Sequence, residues 1–115
     1  MNPETIFVTR YVASHDASLA WYERFFGRPA DARPMPNCRE WRLGANVLFQ
    51  VIELPERRGE TSVAFSAPDL TSEVDRLREA GLSLDDPSHV EGFKTLRYSE
   101  TSDPEGVPIG VLDGE

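Results

Sequence analysis

Few side chains of this 115-residue sequence have the chemistry of a reactive centre. It holds two histidines, His15 and His89, and a single cysteine, Cys38. His15 precedes a predicted helix and His89 lies in a polar stretch, which favours exposed loop positions over a catalytic or metal-binding role. No histidine or lysine stands near Cys38 in the sequence to lower the pKa of its thiol, so this residue is interpreted as a small buried hydrophobe. The sequence therefore predicts no nucleophile.

Carboxylates are the remaining candidates, and three of them lie on or near predicted strands: Glu40, Glu53 and Glu100. Most carboxylates at such positions are solvated, so metal ligation is not favoured for any of them. A lone cysteine also excludes an intramolecular disulfide and a cysteine metal cluster.

The charge balance limits the partners. A formal net charge of −8 argues against nucleic-acid binding, which needs a basic patch, and favours neutral or cationic small ligands. The first residues show no basic start followed by an apolar run, so no signal peptide is predicted. Apolar runs are too short to cross a membrane, and a cytoplasmic location is the expectation.

The chain contains two copies of one pattern. In residues 12–27, a strand end leads through a capped helix start to an apolar helix and a terminal glycine. The same order returns in residues 63–81, and Val12 and Ala67 are 55 positions apart, as are Leu19 and Val74. Such a spacing, near half the chain length, indicates an internal duplication.

Periodicity and turn signals give each half the order β-α-β-β-β. The predicted helices span residues 17–26 and 70–80. The predicted strands span residues 6–12, 39–43, 47–54, 62–67, 93–101 and 107–112, with an irregular strand within 28–36 and a short one at the start of 82–89. Residues 1–115 are interpreted as a single domain, with module 1 over about 6–54 and module 2 over about 62–112.

These motifs resemble the vicinal-oxygen-chelate (VOC) superfamily, which includes glyoxalase I, bleomycin-resistance proteins and extradiol dioxygenases. The resemblance is carried by residues 12–27, by the helix end Arg-Leu-Arg-Glu-Ala-Gly, and by Asp103-Pro104-Glu105-Gly106 before the last strand. It implies an α+β fold of two βαβββ modules in tandem, the glyoxalase/bleomycin-resistance fold, with a curved mixed sheet around a cavity. It also implies a homodimer.

The resemblance further implies four metal-ligand positions, which fall on Phe7, Gln50, Ser62 and Gly110. Divalent metals need imidazole nitrogen or carboxylate oxygen at such points. Phenylalanine and glycine supply no side-chain ligand, serine is a poor one, and only Gln50 is compatible. We therefore expect no metal and no other cofactor.

Without a metal, the residues on the strand faces that carry these positions predict the wall of a ligand pocket. Gln50 is the expected polar anchor, Phe7 supplies a ring, and the small Ser62 and Gly110 leave room. Trp41 and Tyr98 are expected to add stacking rings. The predicted ligand-binding residues are Phe7, Thr9, Tyr11, Trp41, Leu48, Gln50, Ser62, Ala64, Tyr98 and Gly110. The alternative is that they fill a core or a dimer interface. Trp21 and Phe25 are expected to pack between helix and module.

Two functions remain open. The first is a bleomycin-resistance-like protein that binds a small aromatic or cationic ligand without chemistry. The alternative is a VOC enzyme of the lyase, isomerase or dioxygenase type with a non-standard or absent metal site. A regulatory or interaction module is a third possibility. The sequence names neither ligand nor reaction.

Overall fold

The computed structural model describes all 115 residues, Met1–Glu115. Eight strands and two helices follow the predicted order, so the α+β class with two βαβββ modules is confirmed. Spatially the chain divides into two compact units, residues 7–61 and residues 1–6 with 62–115. Neither helix is long and apolar enough to cross a bilayer.

Module 1 contains β1 (Ile6–Val12), α1 (His15–Phe26), β2 (Ala32–Met35), β3 (Cys38–Arg42) and β4 (Val47–Glu53). β3 pairs antiparallel with both β2 and β4. A short 3₁₀ turn, Pro55–Arg57, follows β4. Gly27 ends α1 with a φ of 78°, in the left-handed region, where its N–H donates to the Glu23 carbonyl at 2.9 Å.

Module 2 contains β5 (Thr61–Ser66), α2 (Leu70–Glu79), β6 (Ser88–His89), β7 (Arg97–Ser102) and β8 (Pro108–Asp113). β5 runs parallel to β8, whereas β7 is antiparallel to both β8 and β6. Two predicted bounds are wrong. The short strand lies at the end of its polar stretch, and β7 begins at Arg97 because residues 91–95 form turns and bends.

Each helix covers one face of its own strands. Under α1 the core is largely aromatic and is centred on Trp41, with Val12 and Val51 beside it. Under α2 the core is aliphatic and comprises Ala67, Leu70, Val74, Leu84 and Val111. Because side chains alternate along a strand, the opposite strand faces carry the other set of residues.

The outward side of α1 contradicts one expectation. Trp21 is 50% exposed and Phe25 is 68% exposed, so neither packs between helix and module. The helix instead packs against the module 1 core through the opposite side, which carries Leu19, Tyr22 and Phe26.

Candidate functional site

A hydrogen-bonded chain of three side chains crosses the strand face of module 1 that points away from α1. Glu40 on β3 lies directly opposite Gln50 on β4. The Gln50 amide Nε2 donates to the Glu40 carboxylate at 2.8 Å, and the Thr9 hydroxyl donates to Gln50 Oε1 at 3.1 Å. The chain therefore fixes the Glu40 carboxylate through an amide that is itself held in place.

This arrangement corrects the role expected for Gln50. A buried amide must find hydrogen-bond partners, and as the expected polar anchor of a pocket Gln50 would find them on the ligand. In the structure Thr9 satisfies the carbonyl oxygen and Glu40 takes one N–H. Gln50 is thus a positioning group, and the group it positions is the carboxylate of Glu40.

Tyr11, at the end of β1, is engaged by an arginine. The Arg57 guanidinium carbon lies 4.2 Å from the centroid of the Tyr11 ring, and Arg57 Nη1 also donates to the phenol oxygen at 3.1 Å. Arg57 is held in turn by Glu60. One face of the Tyr11 ring is therefore already occupied by a cation.

Trp41 lies in the core, which corrects its predicted role as a stacking ring for a ligand. Its side chain is 0% exposed, and its ring lies 5.3 Å from that of Phe26 beneath α1. The indole N–H donates to the Arg28 carbonyl at 3.1 Å. The reason is strand alternation, because residues 40 and 41 must point to opposite faces of β3.

Module 2 carries a different pair on the equivalent strand face. Tyr98 and Glu100 project from the same side of β7, and the Tyr98 hydroxyl donates to the Glu100 carboxylate at 2.6 Å. A Cβ on Gly110 would run into the Tyr98 ring. The space expected above Gly110 is therefore filled by that ring, while Ser62 and Ala64 on β5 are buried.

The remaining predicted residues are distributed as alternation requires. Leu48 and Gln50 share one face of β4, opposite the face that contributes Phe49 and Val51 to the core. Thr9 is buried and Phe7 is half-buried on β1. Module 1 thus brings Thr9 and Gln50 together, and module 2 brings Tyr98 and Gly110 together.

The other reactive side chains have structural partners. The backbone N–H of His15 donates to the Glu53 carboxylate at 2.8 Å, and His15 Nε2 lies 3.0 Å from the Val51 carbonyl, so this histidine is more tightly held than an exposed loop residue. His89 is exposed, as expected, but it lies on the short strand β6 rather than in a loop. Cys38 is buried, and this burial raises the pKa of its thiol to about 12, which makes it a poor nucleophile.

The donor chemistry at the four expected metal positions does not fit a divalent ion. Phe7 and Gly110 offer no side-chain donor, and the Gln50 oxygen already accepts from Thr9. No group of three or more His, Cys, Asp or Glu side chains in the structure is placed to hold a metal. The residues at these four positions therefore do not form a site for a divalent metal.

Sequence reasoning considered Glu40 and Glu100 only as possible metal ligands and did not place them opposite Gln50 and Gly110. Glu40 lies opposite Gln50, and Glu100 lies opposite Gly110. Glu100 comes 60 positions after Glu40, as Gly110 does after Gln50. Comparing the two copies at this second offset would have revealed the pair, because both carboxylates hold the same place in the duplication.

No protein-family model and no curated protein matches the chain, whereas solved structures do. A Legionella pneumophila protein described as an NAD-dependent benzaldehyde dehydrogenase superposes with a TM-score of 0.73 at 12% identity, covering 93% of this chain and 96% of that one. A Streptomyces coelicolor methylmalonyl-CoA epimerase variant in complex with 2-nitronate-propionyl-CoA gives 0.68 at 16% identity, with coverage of 96% and 97%.

A glyoxalase/bleomycin resistance protein/dioxygenase superfamily member from Vibrio splendidus 12B01 gives a TM-score of 0.65 at 15% identity, with coverage of 93% and 95%. Over nearly its whole length, this chain therefore has the vicinal-oxygen-chelate fold that the sequence motifs indicate. Because one fold hosts many chemistries, the function must be argued from the site.

Proposed function

We propose that the protein binds a small organic cation with an aromatic or apolar body, and that Glu40 on the sheet face of module 1 is its ionic partner. The observation that carries this proposal is the chain from Thr9 through Gln50 to Glu40. The Gln50 amide is neutral, so it positions this carboxylate without forming an ion pair with it. The carboxylate therefore favours a ligand that brings a positive charge and N–H donors.

The surroundings of Glu40 suit the apolar part of such a ligand. Leu48 and Ile52 flank Gln50 on the same face of β4, and both are half-buried. Apolar side chains around a few fixed polar groups are typical of small-molecule sites. A net charge of −8 supports the choice of a cation, since it attracts cations over long range.

An enzyme is the second candidate, and the Tyr98–Glu100 pair of module 2 favours it. A phenol that donates to a carboxylate at 2.6 Å can relay a proton, as a lyase or isomerase would require. Such an enzyme would need Tyr98 for turnover, whereas a binding protein needs Glu40 for affinity.

The test is a thermal-shift screen with planar organic cations, followed by titration calorimetry on the hits. Glu40→Gln should weaken binding at least about ten-fold, since a hydrogen bond to a charged group contributes about 1.5–3 kcal/mol. Gln50→Leu should weaken it about five-fold by releasing the carboxylate. If Phe7 stacks on the ligand, Phe7→Ala should weaken binding more than Gln50→Leu does.

Two controls sharpen this experiment. Glu105→Gln removes a negative charge from an exposed turn, so it should leave affinity unchanged. An acyl-CoA, which is anionic like the propionyl-CoA derivative bound by the structurally similar epimerase, should bind worse than any cationic hit. If every hit ignores Glu40→Gln, or if the acyl-CoA binds best, the proposal is wrong.

A further inference from the structure

A groove on the α1 side of module 1 contains two arginines that have no acidic partner. It is formed by α1, by the loop that precedes β2, and by β2 and β3, and its volume is about 320 Å³. Leu19, Glu23, Arg33, Arg39 and Trp41 are among the residues that line it. Small-molecule sites span about 300–1,000 Å³, so this groove suits a small ligand.

The guanidinium groups of Arg33 and Arg39 lie close together because they approach the same oxygen. Arg39 Nη1 donates to the Pro36 carbonyl at 3.0 Å and to the Cys38 carbonyl at 3.1 Å, and Arg33 Nη2 lies 3.5 Å from the same Pro36 oxygen. Neither arginine forms an ion pair within the chain. Neighbouring cations repel each other, so an anionic group beside both is favoured, and the planar fork of arginine matches a carboxylate.

Asp31 also lines the groove, but its charge is already matched by another arginine. Its carboxylate accepts from Arg28 Nε at 3.2 Å and from Arg28 Nη2 at 3.0 Å. The backbone N–H of Arg42 donates to the same carboxylate at 2.8 Å. The anionic partner of Arg33 and Arg39 is therefore left to a ligand.

Glu23 places a negative charge on the α1 wall of the same groove. It lies one helical turn after Leu19, and its exposed carboxylate forms no hydrogen bond or ion pair within the chain. Leu19 and Ala30 are half-buried, pack against the core at Trp41, and give the groove an apolar surface. The groove thus presents both signs of charge beside apolar side chains.

We propose that this groove binds a free α-amino acid with an apolar side chain. Arg33 and Arg39 hold its carboxylate, Glu23 accepts from its ammonium group, and its side chain contacts Leu19 and Ala30. A zwitterion has no net charge, so the net charge of −8 does not repel it, whereas the same field opposes a simple anion. The small volume of the groove favours a single amino acid over a peptide.

This groove is separate from the proposed site at Glu40. Arg39 and Trp41 both line the groove and lie on the α1 side of β3. Glu40, between them in the sequence, points to the other side of the strand because side chains alternate. The amino acid is therefore a second ligand, and its binding does not depend on the function proposed for Glu40.

The first test is titration calorimetry of the unmodified protein with L-leucine and with two analogues that each lack one of its charges. 4-Methylpentanoate has the same carbon skeleton without the ammonium group, and isopentylamine lacks the carboxylate. Leucine should bind with saturation. Each analogue should bind at least about ten-fold more weakly, because it loses a hydrogen bond between charged groups.

Substitutions test the three charged side chains. Arg33→Gln and Arg39→Gln should each weaken leucine binding about ten-fold, and Arg39→Lys, which keeps the charge but loses the fork, should weaken it less. Glu23→Gln should weaken leucine binding but strengthen 4-methylpentanoate binding, because it removes a negative charge near the carboxylate. Arg58→Gln and Glu56→Gln change exposed residues outside the groove, so these matched controls should leave the affinity for leucine unchanged.

Thermal unfolding of each variant without ligand shows whether the fold is retained. If Arg39→Gln unfolds the protein, Arg33→Gln and Arg39→Lys carry the test. The proposal is wrong if leucine does not bind, or if its affinity does not respond to the substitutions at Arg33 and Arg39. It is also wrong if 4-methylpentanoate binds as tightly as leucine, because Glu23 would then contribute nothing to recognition.

Discussion

The two modules start their helices in the same way. In module 1 the Glu53 carboxylate, at the end of β4, accepts the backbone N–H of His15 at the first residue of α1. In module 2 the Asp113 carboxylate, at the end of β8, accepts the N–H of Leu70 at the first residue of α2 at 2.7 Å. One carboxylate thus ties the last strand to the helix start in each copy.

The caps before these residues repeat as well. Ser14 accepts from the N–H of Asp16, and Asp69 accepts from the N–H of Thr71 at 3.1 Å. Because the first N–H groups of a helix have no partner within it, side-chain caps decide where the helix begins. These devices act on the backbone, which explains why both copies retain them.

The modules differ in what they place around that shared frame. Module 1 packs aromatic rings around Trp41, whereas module 2 packs aliphatic side chains around Leu70 and Val74. On the opposite strand faces, Glu40 is held by Gln50 but Glu100 by Tyr98. The duplication therefore conserves what sets the backbone, and the differences identify where each copy has acquired its own properties.

The largest expected effect comes from breaking the aromatic core of module 1. Trp41→Ala should lower the free energy of unfolding by about 3–5 kcal/mol, because it leaves a large cavity. It also removes the partner of the Arg28 carbonyl. Leu70→Ala, which removes the fully buried leucine of module 2, should lower the free energy of unfolding less. Urea unfolding followed by circular dichroism measures both.

Cys38 reports which module opens. Its buried thiol has a pKa raised to about 12 by burial, so it should react with a thiol reagent only after module 1 opens locally. Labelling should therefore accelerate more in Trp41→Ala than in Leu70→Ala protein. Equal acceleration of Cys38 labelling in the two variants would show that the two cores open together, and would contradict separate opening of the modules.

A smaller effect is expected where the modules differ on their strand faces. Gly110→Ala should lower the free energy of unfolding by about 1–3 kcal/mol, because the new methyl group displaces the Tyr98 ring. The matched change in module 1, Gln50→Ala, creates no clash and should lower it by about 1 kcal/mol through lost hydrogen bonds. Thermal unfolding measures both changes.

A double variant tests whether the clash with the Tyr98 ring causes the stability loss expected for Gly110→Ala. If the clash with the ring is responsible, Gly110→Ala should be much less harmful in a Tyr98→Ala background, and Tyr98→Phe should not relieve it. Additive effects of Gly110→Ala and Tyr98→Ala would contradict the close contact between these two residues.

Most bounds of the helices and strands could be predicted from the sequence, because they depend on local signals. The bounds of β1 were predicted correctly, and the helices were placed to within two residues, since caps, apolar spacing and terminal glycines mark them. The start of β7 was misplaced because Phe93 and Leu96, which have the apolar character of strand residues, lie before the strand, Phe93 in a bend and Leu96 in an irregular stretch.

The candidate site could be predicted only in part, because it depends on pairing between strands. That Gln50 and Thr9 share a region followed from the resemblance and alternation, but Glu40 as the partner of Gln50 required the register of β3 against β4. The Tyr98 ring over Gly110 likewise depends on register. Trp41 was misassigned although alternation already placed it opposite Glu40.

The smallest expected effect on stability comes from a difference between the two carboxylates that hold the first residue of each helix. In module 2 Asp113 also binds Arg97 through two hydrogen bonds, at 2.8 and 3.1 Å, whereas Glu53 forms no ion pair. The Arg97 hydrogen bonds, aided by the Leu70 N–H, hold the pKa of Asp113 below its ordinary value of 3.8 although burial opposes this. Asp113→Asn keeps an oxygen for Leu70 but loses the charge.

At neutral pH, Asp113→Asn should therefore lower the free energy of unfolding by about 1 kcal/mol, a value that allows for solvent screening at partly exposed Arg97. A carboxylate with a lowered folded-state pKa contributes stability above its unfolded pKa and loses it as the pH falls through the folded value. The unmodified and Asp113→Asn proteins should thus converge in acid. Glu53→Gln should change stability by less than about 0.5 kcal/mol. Urea unfolding at a series of pH values measures these free energies. If the unmodified and Asp113→Asn proteins lose stability in parallel as the pH falls, the ion pair adds no stability beyond the helix cap that both modules share.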